Sequence, residues 1–121
     1  MSKFLQEGSQ LLIISDSGTV VWKGNPKNWT VAKVIEVPNT ESAIVLLDYY
    51  KWDTSRGYNL ICVDSHGDTL WEATEESGQL LGESITEIQV EDGRYLVNTW
   101  NGCRLRIDEK DGRMFFLSFS K

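Results

Sequence analysis

Three segments of the chain share one pattern: an apolar run, then an Asp or Ser, a turn glycine, and an aromatic residue four positions after that glycine. The segments are Leu11–Ile14 with Gly18 and Trp22, Leu60–Val63 with Gly67 and Trp71, and Leu105–Ile107 with Gly112 and Phe116. The turn glycines lie 49 and then 45 residues apart. Such a period is typical of repeat architectures, in which each unit buries its apolar face against the next. We therefore expect successive β-hairpin units.

Strand signals dominate the rest of the chain, because β-branched and aromatic runs are separated by Gly, Asn, Asp, Pro and Ser. The predicted strands are Leu11–Ser15, Thr19–Lys23, Val31–Val37, Ala43–Tyr50, Asn59–Asp64, Thr69–Glu72, Ile85–Val90, Tyr95–Trp100, Arg104–Asp108 and Met114–Ser118. The stretch from Ala73 to Gly82 contains two glycines and a serine, and is predicted to be a loop with at most one helical turn.

The strands group into a half unit over residues 11–23 and two four-stranded units over residues 31–72 and 85–118. Leu11–Ile14 and Ala43–Leu47 are apolar on both faces, which suits central positions covered on each side. At 121 residues, the chain can bury roughly two-thirds of its unfolded surface. We expect one all-β domain over residues 1–121, an antiparallel meander that forms an incomplete propeller-like, barrel or sandwich fold.

The segment from Arg106 to Phe116 resembles the blade motif of quinoprotein-type β-propellers, which has an Asp, a Gly four residues later and a docking Trp four beyond that. Phe116 stands where the Trp belongs. Val63–Trp71 is similar and keeps the Trp, with a turn one residue shorter, and Ser15–Trp22 is a weaker copy. The resemblance covers about two and a half blades. It implies that the repeated aromatic packs between neighbouring blades, which assigns Trp22 and Trp71 to the core.

Family members that hold a quinone do so inside a closed ring, and closed propellers typically have about 4–8 blades. Because about two and a half blades cannot close alone, no cofactor is expected. The chain is expected to curl into a barrel or sandwich, to pair its open edges with another copy as a homo-oligomer, or to be covered by a partner. Charged guards offer a further way to blunt an edge, and Lys23, Lys27 and Lys33 lie near the first units.

The net charge is −6 and is unevenly distributed. No Lys or Arg occurs from Gly57 to Gly93, whereas this stretch contains Asp64, Asp68, Glu72, Glu75, Glu76, Glu83, Glu87, Glu91 and Asp92. A surface of one sign repels phosphate and anionic lipid and attracts a cationic partner. We therefore expect neither a nucleic-acid nor a membrane ligand. The stretch is either a solvated acidic face or a docking surface for a basic protein.

The longest apolar runs fall far below the ~18 residues that cross a bilayer, and the first residues lack a signal-peptide core, so a cytoplasmic location is expected. In that setting Cys62 and Cys103 are expected to be reduced thiols rather than a disulfide.

No catalytic or metal site is predicted. Asp64, Ser65 and His66 are adjacent in a predicted hairpin and cannot converge as a nucleophilic triad. One His and two Cys without paired spacing do not form a zinc site. Asp108–Gly112 lacks the distal Glu of a calcium loop and is predicted to be a turn. Paired carboxylates for glycoside hydrolysis stay open, because their separation is a three-dimensional quantity.

The connection from Asp48 to Tyr58 is longer than the other hairpin turns and is rich in aromatic residues. Tyr, Trp and Arg anchor protein interfaces, and loops held by a rigid sheet often carry binding residues. Alternatively, Tyr50 and Tyr58 belong to strand ends and Trp52 caps the core. Trp29 and Trp100 lie on other connections that would meet this loop if the tips gather at one rim. The residues predicted to bind a partner are Tyr49, Trp52, Asp53, Arg56, Trp100, Glu72, Glu75 and Glu76.

These observations favour a non-catalytic protein-binding module. The most specific form of this hypothesis is an acidic inhibitor or immunity protein that neutralises a basic partner such as a bacterial nuclease toxin. A self-assembling, propeller-like structural protein and a carboxylate-dependent hydrolase are the alternatives.

Overall fold

The computed structural model describes residues 1–75 and 83–119, with only the backbone of Phe119. These residues form twelve β-strands, namely β1 (Lys3–Glu7), β2 (Gln10–Ile14), β3 (Val20–Gly24), β4 (Val31–Glu36), β5 (Ser42–Leu47), β6 (Leu60–Asp64), β7 (Thr69–Glu72), β8 (Thr74–Glu75), β9 (Ile85–Glu91), β10 (Arg94–Thr99), β11 (Cys103–Ile107) and β12 (Arg113–Phe119). Short 3₁₀ turns occur at Pro26–Asn28 and Thr54–Arg56. The predicted all-β fold is confirmed.

The strands form three separate sheets, each built on a meander of sequential antiparallel strands. The N-terminal sheet has the order β1-β2-β3, the central sheet β4-β5-β6-β7, and the C-terminal sheet β8-β12-β11-β10-β9. Among the strands of the described residues, only the pairing of β8 with β12 is parallel, and it adds β8 to the edge of the C-terminal meander. Within the described residues, no sheet closes into a barrel. The central sheet occupies the range predicted for the first four-stranded unit.

Two of the observed strands, β1 and β8, were not predicted from the sequence. The sequence of β1 lacks the alternation of apolar and polar residues that marks a strand, and only Phe4 is buried. The strand nevertheless pairs with β2 along its whole length. β8 lies in the stretch predicted to be a loop, where the backbone N–H of Thr74 donates to the carbonyl of Gly112 at 2.9 Å. The loop prediction is therefore wrong for Thr74–Glu75, and its remainder, residues 76–82, lies outside the described residues.

The central sheet is packed on both faces, which places the core. Every residue of β5 is buried, as expected for a strand covered on each side. One face joins the N-terminal sheet in a cluster of Phe4, Leu11, Ile13, Val31, Ala43, Val45, Leu47, Trp52, Ile61 and Val63. The other face joins the C-terminal sheet in a larger cluster that includes Ile44, Leu46, Leu60, Cys62, Ile85, Ile88, Tyr95, Val97, Leu105 and Ile107. The three sheets are thus stacked in chain order.

The repeated aromatic makes the same contact twice. The Trp22 ring of the N-terminal sheet lies on Gly67 in the β6–β7 turn, so close that a Cβ there would stand 2.6 Å from the ring. The Trp71 ring of the central sheet lies on Gly112 in the β11–β12 turn, where a Cβ would stand 2.4 Å away. The indole N–H of Trp71 also donates to the carbonyl of Glu109 at 3.0 Å. Both tryptophans therefore join one sheet to the next.

In the third unit, the register gives this position to Phe115 and not to Phe116. Trp22 is paired with Ile13 and Trp71 with Cys62, and the corresponding pair is Phe115 with Arg106. The cause is a register shift: β3 and β7 carry an irregularity just before the Trp, whereas that of β12 comes later, between the partners Arg104 and Leu105. The expectation that Phe116 fills the aromatic position is wrong by one residue.

The lysines near the first units form ion pairs. The ammonium of Lys33 on β4 contacts the Glu87 carboxylate at 3.1 Å and the Ile88 carbonyl at 2.7 Å, which ties the central sheet to β9 of the C-terminal sheet. Lys27 pairs with Glu72 at 2.8 Å. At least these two side chains therefore connect elements in addition to adding surface charge.

Both cysteines are free and buried. Burial raises the pKa of the Cys62 thiol above its ordinary value. Because a buried thiol is not accessible to reagents, neither cysteine should react with an aromatic disulfide reagent in the native protein at neutral pH, and both should react after denaturation. The measurement is thiol release before and after adding guanidinium chloride; rapid native release would contradict the burial of these side chains.

Candidate protein-binding site

Side chains from two sheets meet at one end of the stack. We call this surface the aromatic rim and define it by Tyr49, Tyr50 and Trp100. The first two belong to the β5–β6 connection and Trp100 to the β10–β11 connection. The Tyr49 and Trp100 rings are stacked, with centroids 5.4 Å apart and planes inclined by 29°. The predicted gathering of aromatic loop tips therefore occurs for this pair.

The rim is exposed to solvent. Trp100 is 64% exposed and Tyr50 67% exposed, although large aromatic side chains are usually buried. The rim residues line an open groove of about 330 Å³ together with Lys51, Trp52, Glu83 and Ser84. Exposed, rigid aromatic residues beside a groove are typical of protein interfaces.

The β5–β6 connection is held by its own polar groups. The Asp48 carboxylate accepts from the backbone N–H of Tyr50 at 2.9 Å, and the Asp48 carbonyl accepts from the indole N–H of Trp29 at 2.7 Å. Asp53 caps the 3₁₀ turn by accepting from the N–H of Ser55 at 2.9 Å. Hydrogen bonds from the side chain and backbone of Ser55 lower the pKa of the Asp53 carboxyl. The loop is therefore preorganised by local contacts.

Trp52 supports the rim from below and is not an exposed contact. It is 6% exposed, and its indole N–H donates to the carbonyl of Gly57 at 2.9 Å. Its ring meets Trp29 edge to face, at 5.4 Å between centroids, and the Arg56 guanidinium lies 4.5 Å above it. The alternative that Trp52 caps the core is thus the observed one, and its predicted role as a partner contact is corrected to a supporting role.

A buried amide joins the two sheets directly beneath the rim. Asn59 is fully buried, and its Nδ2 donates to the carbonyls of Leu47 at 2.6 Å and Ile85 at 2.9 Å. Its Oδ1 accepts from the Ile85 N–H at 2.7 Å. The carbonyl of Ser84, the residue just before Ile85, accepts from the backbone N–H of Trp100 at 2.9 Å. This network, which the sequence did not indicate, fixes the position of one rim element against the other.

The acidic residues predicted to bind a partner separate into different environments. Glu72 is exposed and pairs with Lys27. Glu75 is buried and accepts a hydrogen bond from the Tyr58 hydroxyl, so its predicted role as a surface contact is wrong. Glu76 lies outside the described residues. Glu83, which the prediction did not include, is exposed and lines the groove.

Asp53 and Arg56 are both exposed beside the rim. The Arg56 guanidinium donates to the Lys27 carbonyl at 3.0 Å and also lies over the Trp29 and Trp52 rings, so its charge is engaged within the protein. The Arg56 side chain therefore stabilises the loop, and a partner can contact only the exposed part of its guanidinium.

Within residues 1–75 and 83–119, no group of three or more His, Cys, Asp or Glu side chains could hold a metal ion. No helix in the part of the chain that the structure describes is long and apolar enough to cross a membrane. A second cleft, of about 440 Å³, lies near the β4–β5 turn and is lined by residues that include Glu41, Cys62, Trp71 and Glu109.

A protein-family model described as "Domain of unknown function (DUF7957)" matches residues 7–119. The chain belongs to this family. A comparison of this DUF7957 domain with curated proteins finds no match. Among solved structures, the domain is similar to the crystal structure of the computationally designed Ika8 protein, with a TM-score of 0.54 and 9% sequence identity. The match covers 93% of this chain and 34% of the Ika8 chain, so the DUF7957 domain spans about a third of that protein's length. At this identity the likeness concerns the fold alone.

Proposed function

We propose that this domain is a non-catalytic protein-binding module and that the aromatic rim is its contact surface. The observation that carries the proposal is the stacked, exposed pair of Tyr49 and Trp100, held by loops of two different sheets. Interface hot spots are enriched in Trp and Tyr, since these side chains bury a large area at a small cost in conformational entropy. Because the loops are already braced, little ordering is required on binding.

The partner we propose is a basic protein. The chain carries a net charge of −6, which accelerates encounter with a cationic surface. In the groove, a Lys or Arg side chain of the partner would meet the exposed parts of the Tyr49 and Trp100 rings and the Glu83 carboxylate at one wall. Lys51 also lines the groove, but its ammonium lies over the Tyr50 ring. Aromatic faces attract cations, and a carboxylate beside them adds to that attraction.

A nuclease toxin is the class of basic partner that best fits an acidic inhibitor, because its active site must be positive to hold nucleic acid. Under this proposal the domain is an immunity protein that masks such a site in the cytoplasm. The acidic residues set the association rate and the rim supplies the packed contacts.

The test is capture of the tagged protein with its partner from its own host's lysate at low salt, followed by titration of the purified partner. Trp100→Ala should weaken binding about 30-fold, as expected for a central hot spot, whereas Leu70→Ala should change it less than about 3-fold. Leu70 is a suitable control because it is also exposed but lies on β7, away from the rim. Wild-type affinity for Trp100→Ala would exclude the rim, and binding that raised salt leaves unchanged would exclude a basic partner.

A further inference from the structure

Equivalent rows of side chains cross all three sheets. The row Phe4, Ile13, Trp22 crosses the N-terminal sheet and faces the central sheet, and the row Ile35, Ile44, Cys62, Trp71 crosses the central sheet and faces the C-terminal sheet. The corresponding row in the C-terminal sheet is Gln89, Leu96, Arg106, Phe115. It points away from the central sheet, because side chains alternate along a strand and the neighbours Val97 and Leu105 face the core.

The row in the C-terminal sheet has an aromatic residue at the same position as the rows in the other two sheets. Phe115, which is half-buried, occupies the position of Trp22 and Trp71. Leu96 lies in the same row but is only 7% exposed, so Phe115 is the apolar side chain of the two that a partner would contact. The Arg106 guanidinium lies 4.6 Å above the Phe115 ring, and that of Arg113 lies 6.0 Å from it. The outer face of the C-terminal sheet is therefore apolar in its aromatic position and positive around it.

At the other end of the stack, the outer face of the N-terminal sheet is partly apolar. Leu5 pairs with Leu12 and Val20 with Ile14 on this face, where Leu5 is 43% and Val20 56% exposed. In the central and C-terminal sheets, the equivalent face is the one against which the preceding sheet packs. This face is therefore suited to receive a further sheet.

The turn glycines also show that the N-terminal sheet lacks a sheet before it within the described residues. Gly67 and Gly112 are each covered by a tryptophan ring of the preceding sheet. Gly18 is the equivalent turn residue of the N-terminal sheet, it has the same positive φ, and no atom lies within 4 Å of where its Cβ would be. The adjacent Asp16 contacts the N-terminal amine of Met1, and its side chain is 73% exposed. The turn thus offers an open glycine beside an exposed carboxylate.

We infer that a second copy of this chain continues the stack head to tail. The outer face of the C-terminal sheet of one copy docks on the outer face of the N-terminal sheet of the next. Phe115 then lies on the partner copy's Gly18 turn, as Trp71 lies on Gly112 within the chain. The arginines that flank Phe115 approach the exposed carboxylate of Asp16, which also contacts the N-terminal amine of Met1, so an arginine and a carboxylate of opposite charge meet there.

We choose a second copy as the partner of these two faces because the proposed contact repeats the sheet-to-sheet contact that the chain already makes twice. A contact between two different faces either closes into a ring or grows into a filament. Two copies, each with the three sheets of the described residues, supply six sheets, within the roughly 4–8 blades of closed propellers. We therefore expect a closed pair in which each copy uses both outer faces. This surface is distinct from the aromatic rim.

Sedimentation equilibrium tests the inference with a charge-reversal cycle. At about 100 µM and low salt the wild-type chain should be a dimer, since that concentration exceeds a micromolar dissociation constant. Asp16→Arg alone and Arg106→Glu alone each place like charges at both contacts and should raise the dissociation constant at least about 10-fold. The double variant restores opposite charges and should return within about 3-fold of the wild type.

A mixture of the two single variants gives a second readout. Each alone should associate at least about 10-fold more weakly than the wild type, yet together they should form a mixed pair of about wild-type affinity, because opposite charges then meet at both contacts. Circular dichroism is the control that checks that both single variants are folded. A monomeric wild type at this concentration would overturn the inference, and so would a dimer that neither substitution weakens. Rim variants such as Trp100→Ala should leave the dimer unchanged, which keeps this test separate from that of the proposed function.

Discussion

Replacing Gly112 by alanine should lower the free energy of unfolding by about 2–4 kcal/mol, which combines the cost of positive φ with that of overpacking. The residue has φ near +79°, and a Cβ would stand 2.4 Å from Cε3 of Trp71. The indole cannot move aside without losing its hydrogen bond to the Glu109 carbonyl. Either the β11–β12 turn or the Trp71 ring must therefore shift, and the contact between the central and C-terminal sheets weakens.

Gly18→Ala is the matched control. Gly18 has a similar φ of +85° but open space around its Cβ position, so the same substitution should cost only about 1 kcal/mol in the isolated chain. Urea unfolding of the two variants, compared through their midpoints and slopes, separates backbone strain from the ring contact. Equal losses for Gly112 and Gly18 would contradict the close packing of the Trp71 ring on the Gly112 turn.

The repeat was visible in the sequence because its turn glycines and aromatic residues are required by geometry. A glycine is needed wherever a tryptophan ring lies against a left-handed turn, so Gly67 and Gly112 report an inter-sheet contact as well as a turn. The same logic failed by one residue at Phe116. A register shift between paired strands leaves no signature in residue type, so the choice between Phe115 and Phe116 needed the backbone.

The sequence predicted which aromatic residues lie near the rim, but not which of them are exposed or stacked on each other. The sequence indicated that Tyr49, Trp52 and Trp100 lie on connections, and aromatic loops at sheet ends have an interface preference. Burial is decided by neighbours from other loops, such as Trp29, which closes over Trp52. The stacking of Tyr49 on Trp100 joins residues far apart in the chain, and no local pattern specifies it.

Asn59 shows why polar core residues are harder to predict than apolar ones. In the sequence it is one more turn-forming residue before a strand, yet its amide is fully buried and links both sheets beneath the rim. Buried polar groups must be hydrogen-bonded, and the partners here are backbone groups of Leu47 and Ile85, which any residue type would provide. The role follows only from the way the sheets are stacked.

Asn59→Leu should therefore destabilise the protein by about 3–5 kcal/mol, because leucine is similar in size but leaves buried backbone groups unsatisfied at about 1–3 kcal/mol each. The Ile85 N–H loses its acceptor at 2.7 Å, and two carbonyls lose a shared donor. Asn98→Leu, the same change at a half-buried position of β10, should cost less than about 1 kcal/mol.

The location of the damage distinguishes this network from general core packing. Native-state hydrogen exchange of the Ile85 amide should accelerate in Asn59→Leu by far more than that of Val45, which lies deep in the central sheet away from the substituted contact. Because Ser84 holds Trp100 next to this point, the rim should lose partner affinity under conditions where the variant is still fully folded. Uniform acceleration across the sheets, with unchanged binding by the folded fraction, would mean that Asn59 stabilises the core without positioning the rim.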